Sequence, residues 1–175
     1  MKTSAQWWAE TKADPEKLID WLKRQYTGER TAVVRLEKLL ADYPPENPKY
    51  LAVVRAIIAQ EAQHADWVGE LLTARGVELE VGESENRYWA ETLEGIDSFD
   101  TGSAVAAHAE AMRLERIGVI ANDEDAPADI REVFRKILPD EKFHTNAFQF
   151  MASEEALEAT AGNHQLGLKA LGLEA

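Results

Sequence analysis

A chain of 175 residues without a cysteine is long enough to bury a substantial core unaided, and it can form no disulfide, thiolate metal site or cysteine nucleophile. Its 19 Lys and Arg against 32 Asp and Glu leave a formal charge of −13, which repels phosphate backbones and anionic lipid and argues against nucleic acid or a membrane surface as a partner. No uncharged apolar run is long enough to span a bilayer, and Met1 to Trp8 lack a basic stretch leading into an apolar one, so a cytoplasmic protein is expected.

Ser4 to Lys12 reads as a short helix carrying Trp7 and Trp8. Asp14-Pro15 is a start signal, with Asp as cap and Pro preset for the first turn, and the helical pattern then runs to Asp42 before Pro44-Pro45 stops it. Asn47-Pro48 repeats that signal and opens a helix to about Arg75, where Gly76 can take the left-handed cap. Val77 to Asp100, broken by Gly82, Gly95 and Asp97, reads as a crossover with one short helix around Glu85 to Leu93. A third long helix is expected from Thr101 to Ala121, a loop from Asn122 to Pro127, and a fourth long helix to Met151. Ser153, with Glu154 and Glu155 in the first turn, caps a final helix toward Leu173 that Gly162, Gly167 and Gly172 weaken.

Strand signals are almost absent. The expected architecture is one all-α domain over residues 1–175: an up-down four-helix bundle over about 15–151, two helical hairpins joined by a long crossover, with an additional C-terminal helix.

The second and fourth long helices align at an offset of 80. Val53, Arg55, Ile57, Glu61 and His64 meet the same residue types at Val133, Arg135, Ile137, Glu141 and His144. In the helix preceding each motif, Glu29 matches Glu110 at an offset of 81. The half-repeat is a glutamate followed about 32 residues later by Glu-x-x-His, as a duplicated hairpin would produce.

Bundle helices bury positions spaced alternately by three and four. That ladder runs Leu18, Leu22, Gln25, Glu29, Val33, Leu36, Leu40 in the first long helix and Leu51, Val54, Ile58, Glu61, Ala65, Val68, Leu72 in the second. It continues as Ala106, Glu110, Leu114, Ile117, Ala121 in the third and Ile130, Phe134, Ile137, Glu141, His144, Phe148, Met151 in the fourth. Each helix therefore aims a carboxylate into the core near its middle. Glu115 would be the alternative to Glu110 in another register, but both the offset and the seam favour Glu110.

Carboxylates gathered in a dry core cannot all stay ionised without compensation, so something positive must sit among them. A histidine three places after a glutamate lies one turn away on the same face, and both can reach one ion. Two such motifs supply two imidazoles and two carboxylates, with Glu29 and Glu110 completing the shells and able to bridge. With only oxygen and imidazole donors, two cations of iron or manganese fit better than copper or zinc.

The order Glu29, Glu61-Ala-Gln-His64, Glu110, Glu141-Lys-Phe-His144 resembles the ferritin-like di-iron carboxylate proteins, among them bacterioferritin, rubrerythrin and the di-iron oxygenases, and is similar to manganese catalase. The resemblance covers residues 15 to 151. It implies an oxidoreductase that binds two metal ions, iron first and manganese as the variant, and reacts with dioxygen or peroxide. A small organic substrate and a homodimer complete the expected partners. Rubrerythrin proper would add a cysteine-ligated iron domain, and a ferritin cage subunit would lack the Trp-rich start. The competing readings are a ferroxidase or iron-storage subunit, a dimanganese catalase, and a non-catalytic helical module whose acidic faces are merely solvated.

Gln60 and Asp140 precede the two motif glutamates and could orient the histidine of the facing helix. Tyr26, one turn before Glu29, could donate a hydrogen bond or an electron to the site, or be a core tyrosine. Pro139 should kink its helix and could open a channel there, or only adjust packing. His108 and His164, without a Glu at i−3, read as surface or packing residues, and the five tryptophans as core or interface anchors.

Overall fold

The computed structural model describes residues 2–83 and 86–172. Its helices are α1 (Ser4–Ala13), α2 (Pro15–Asp42), α3 (Pro48–Thr73), α4 (Asn86–Thr92), α5 (Phe99–Asn122), α6 (Ala128–Met151) and α7 (Glu154–Ala170), with a 3-10 turn at Leu93–Gly95. Among the described residues there is no strand.

Most helices start where a side chain satisfies the first free backbone N–H groups. Asp14 accepts from the N–H groups of Glu16 and Lys17 at the start of α2, and Asn47 from that of Lys49 at the start of α3. Ser98 and Thr101 form a reciprocal capping box, so α5 begins two residues before the expected Thr101, which is the third helical position. α3 ends at Thr73 rather than Arg75; Gly76 turns the chain at φ +71° and the Val77 N–H reaches back to Leu72 O at 3.1 Å. α7 is described to Ala170; the expected end at Leu173, like the expected start of the crossover helix at Glu85, falls outside the described residues.

α2 and α3 form one hairpin and α5 and α6 the other, joined face to face mainly through α3 and α6, while α2 and α5 barely touch. α1 lies against α2 and α5, and α4 packs on α7. A Cβ at Gly167 would come within 2.6 Å of the Tyr88 ring, so glycine there is what lets α4 approach. His108 and His164 stack at 4.8 Å and 11°, and the Tyr88 hydroxyl meets His164 Nδ1 at 2.8 Å. Burial, with the neighbouring His108, pushes His164 down to about 4; both histidines are packing groups.

The duplication is written in the burial. At an offset of 80, Val54, Ile57, Glu61, His64, Ala65 and Val68 and their counterparts Phe134, Ile137, Glu141, His144, Thr145 and Phe148 are all buried. Ile57, not the expected Ile58, holds the α3 seam, because the true period of 3.6 drifts off a strict three–four ladder. One apolar cluster gathers Trp8, Trp21, Leu22, Leu72, Ile120, Phe134 and Ile137; a second gathers Leu36, Val54, Ile57, Ala107, Phe148 and Met151. Along every long helix the motif residues fall between them, so a polar layer is sandwiched between two dry ones. α6 runs unbroken through Pro139, which sits on its exposed side.

Trp7, Trp8 and Trp21 meet at 5.3 to 6.2 Å, and Trp21 packs on Phe134 at 5.3 Å. This aromatic anchor is pinned by Asp123, which accepts from Trp8 Nε1 at 2.7 Å and Lys12 Nζ at 2.6 Å. Those donors, Lys12 first, hold the Asp123 carboxyl below its ordinary range. Asp123→Ala should therefore lower stability by about 2 kcal/mol, the scale of lost hydrogen bonds to a charged group. Because the folded-state value is depressed, that contribution is complete above the ordinary Asp value and disappears as pH falls through the folded one. The gap in melting temperature between the two proteins should be several degrees at pH 7 and close below about pH 4; a gap that does not narrow on acidification would rule out the ion pair as its source.

Candidate metal centre

The polar layer draws one carboxylate from each long helix. Glu29 of α2, Glu61 of α3 and Glu141 of α6 are fully buried, as are His64 and His144, and Glu110 of α5 is 5% exposed. Glu115, the alternative, is exposed on the outside of α5 and accepts from Ser4 Oγ.

Two sets of ligand atoms emerge. One atom each from Glu29, Glu61, His64 and Glu141 lie within 4.8 Å of one another, and so do atoms from Glu61, Glu110, Glu141 and His144. Glu61 and Glu141 belong to both sets. The shared atoms thus come from the motif glutamates, whereas the sequence offers Glu29 and Glu110 as able to bridge: α3 and α6 face each other across the layer, while α2 and α5 each reach only one end. The histidines approach the opposite motif's carboxylate, His144 Nδ1 at 3.0 Å from Glu61 Oε1 and His64 Nδ1 at 3.4 Å from Glu141 Oε1.

The outer ring nitrogens are fixed by a crossed network. His64 Nε2 meets Asp140 Oδ2 at 3.1 Å, His144 Nε2 meets Gln60 Oε1 at 3.1 Å, and Gln60 Nε2 donates to Asp140 Oδ1 at 2.8 Å. Each orienting residue comes from the facing helix, and both Nδ1 atoms are left pointing inward. Trp67 stacks on His64 at 5.8 Å, beside the centre. Tyr26 makes no hydrogen bond to it: the ring packs near Gly69 and under Arg30, and its hydroxyl has no hydrogen bond among the described residues. Gln25 takes the place foreseen for Tyr26, donating to Glu29 Oε1 at 2.6 Å.

One residue at the centre escaped the sequence reading. Arg113 reaches among the carboxylates, with Nη2 2.6 Å from Glu29 and 3.4 Å from Glu141, and Nη1 3.5 Å from Glu61 and 3.8 Å from Glu110. The signal was present. Arg113 stands three places after Glu110, the spacing of each motif histidine from its glutamate, but the ladder assigned that turn to Leu114, which is only partly buried.

The electrostatics follow. Burial, then the charge of Glu29 and the other acids working against Arg113, pushes Glu61 well above the carboxylate range, and burial together with Glu141 does the same to Glu110. Burial also opposes ionisation of Glu141, but Arg113 and His64 beside it more than offset that and hold it below the usual range. Burial works against a charged His64, yet Glu141 and Glu29 raise it above its ordinary value, whereas burial takes His144 down to about 4. One guanidinium does not neutralise four carboxylates. Among the described residues, nine buried side-chain polar atoms lack a hydrogen-bond partner, and seven belong to these six side chains: both Glu61 oxygens, one oxygen each of Glu29, Glu110 and Glu141, and both histidine Nδ1 atoms. Buried polar groups are ordinarily satisfied. Inward-facing orphan oxygens and imidazole nitrogens are the donor set of a hard or borderline cation, so the residues present fit a pair of metal ions.

A family model described as Rubrerythrin matches residues 20–152. No curated protein and no solved structure matches the chain significantly.

Proposed function

The chain belongs to the rubrerythrin family, and from that premise we propose that it is an oxidoreductase whose six-residue centre binds two iron ions and reduces dioxygen or peroxide. The reading is supported above all by the two overlapping sets of unpartnered, inward-facing ligand atoms. Glu29 and His64 would hold one ion, Glu110 and His144 the other, and Glu61 and Glu141 both. Bound ferrous ions would supply the electrons and the open coordination positions that the oxidant needs.

The chain's own residues do the rest. Asp140 and Gln60 lock the imidazole rings so that Nδ1 stays turned inward. The apolar layers above and below exclude water and strengthen every charge interaction between them. Arg113 stabilises the carboxylates in the absence of metal and must release Glu29 as cations enter; it lines the cavity described below, which gives its guanidinium somewhere to go. That cavity also favours chemistry on a diffusible molecule over iron storage. Among the described residues no helix is long and apolar enough to cross a membrane, in keeping with a cytoplasmic enzyme.

The test is to load the protein with Fe(II) anaerobically, remove the excess and admit dioxygen. Two irons per chain and near-ultraviolet ferric absorption are expected, with both lost in Glu61→Ala and reduced in His144→Ala. No retained iron, or retention unaffected by those substitutions, overturns the proposal. Rapid peroxide loss with manganese and none with iron would move the assignment to the dimanganese catalase reading, and a closed many-subunit shell that loads far more than two irons per chain to storage.

A further inference from the structure

A cavity of about 730 Å³ lies between α2 and α5, where the two hairpins leave a gap. Gln25, Glu110 and Arg113 of the carboxylate layer form part of its wall, and Leu36, Leu39, Val105, Ala109 and Met112 make much of it apolar. α2 and α5 run antiparallel here: Leu39 lies against Gly102 at one end, and at the other Arg116 sits over Trp7, which packs on Trp21. From Arg24 to Arg35 along α2 the cavity spans about 16 Å at 1.5 Å per residue.

Its charge is opposite to that of the protein. The chain carries −13, yet among the described residues the lining has Lys2, Arg24, Arg35, Arg87, Arg113 and Arg116 against a single carboxylate, Glu110. Lys2 is paired with Glu10, and Arg113 with the metal-centre glutamates. Arg24, Arg35 and Arg116 have no carboxylate within ion-pair distance among the described residues. Arg35 instead lies on the Trp89 face at 3.9 Å and Arg116 on Trp7 at 5.0 Å. Burial takes Arg35 down to about 10, and burial lowers Arg116 against the opposing charge of the neighbouring Glu115, with the like charge of Arg24 adding to the fall. Arg35 and Arg116 are partly desolvated cations with no acid in ion-pair contact among the described residues, and Arg24 adds its like charge beside Arg116, an arrangement that an arriving anion would relieve.

We propose that this cavity binds an amphiphilic organic monocarboxylate, its head held between Arg24 of α2 and Arg116 of α5 and its apolar body lying along the two helices past Glu110. Two guanidinium groups on facing helices match a carboxylate's two oxygens, and the volume falls within the range of small-molecule sites. Arg24 lies five residues, about 7 Å of helix rise, from Glu29, so a head at that end sets the following carbons beside the centre. Binding itself needs no metal and goes beyond the two-metal reading; that such a ligand is also oxidised would rest on it.

The experiment uses decanoate, decanol and acetate as probes, with calorimetry and the fluorescence of the cavity's own Trp7, Trp21 and Trp89, on metal-free and iron-loaded protein. Decanoate should bind one per chain, with decanol about tenfold weaker for want of the charged hydrogen bonds and acetate undetectable. Arg24→Gln plus Arg116→Gln should weaken decanoate by about tenfold to a hundredfold while leaving decanol unchanged. Arg24 is exposed, so Arg24→Gln alone tests the head site without risk to the fold. Equal affinity for decanoate and decanol, no saturable uptake, or unchanged affinity in both variants overturns the proposal, as does a weakening seen only in Arg35→Gln. A stable dimer that takes up no decanoate also overturns it, marking the cavity as a subunit interface. Decanoate binding without iron binding would leave this proposal standing and remove the two-metal reading; the reverse result would do the opposite.

Discussion

Arg113→Ala should lower the melting temperature of the metal-free protein by about 6–12 °C, and added Fe(II) or Mn(II) should recover most of the loss. Removing one partner from a buried ion pair costs about 3–5 kcal/mol because the other charge is stranded. The Arg113 side chain is 20% exposed, so the lower figure applies, at about 2–4 °C per kcal/mol for a chain of this size. Four carboxylates then face one another with only protons to relieve them, and Glu61 and Glu110, already pushed up by burial, would be driven further toward the neutral acid. In the loaded protein the cations replace the guanidinium, so the same substitution removes a competitor there. The metal-induced rise in melting temperature should consequently be larger in the variant than in the parent. Thermal denaturation with and without metal reads both effects. An unchanged metal-free melting temperature, or a metal-induced rise no greater than the parent's, would show that Arg113 is not the counter-ion the geometry makes it.

The second large effect separates shared from unshared ligands. Glu141 belongs to both sets of converging atoms and Glu29 to one. Glu141→Ala should therefore abolish retention of both ions, and Glu29→Ala should leave one per chain, held by Glu61, Glu110, Glu141 and His144. Loss even of a residue that only orients a ligand weakens metal binding by about 10–100-fold, so a lost ligand should take affinity below what survives desalting. Metal analysis after loading and desalting gives the stoichiometry, and far-ultraviolet circular dichroism shows whether the helices remain. Equal retention in the two variants would mean that the ions do not share Glu141. One ion retained in Glu141→Ala and none in Glu29→Ala would assign the bridge to Glu29, the arrangement suggested by sequence.

What the chain alone determined is its local grammar. Asp14-Pro15 and Asn47-Pro48 set two helix starts because a capping oxygen and a preset φ act within a few residues. The seam periodicity turned a glutamate inward on each of four helices, and the offset of 80 paired the two Glu-x-x-His motifs before any contact was known. Even the crossed roles of Gln60 and Asp140 were legible, since matched positions in a duplicated hairpin face each other. Tertiary structure decided what depends on distances between helices. Whether Glu61 and Glu141, or Glu29 and Glu110, lie central to the layer is set by how closely α3 and α6 approach relative to α2 and α5, and no spacing along the chain encodes that. The choice of Gln25 over Tyr26 as the group touching Glu29 turns on side-chain direction at neighbouring positions. Arg113 was hidden for a related reason: an arginine in a helix pattern reads as a solvated face until the facing acids are placed within 4 Å of it. The cavity that gathers Arg24, Arg35 and Arg116 is the clearest case, because residues of α2 and α5 far apart in sequence become one cationic, apolar-walled space only when two hairpins pack without closing on each other.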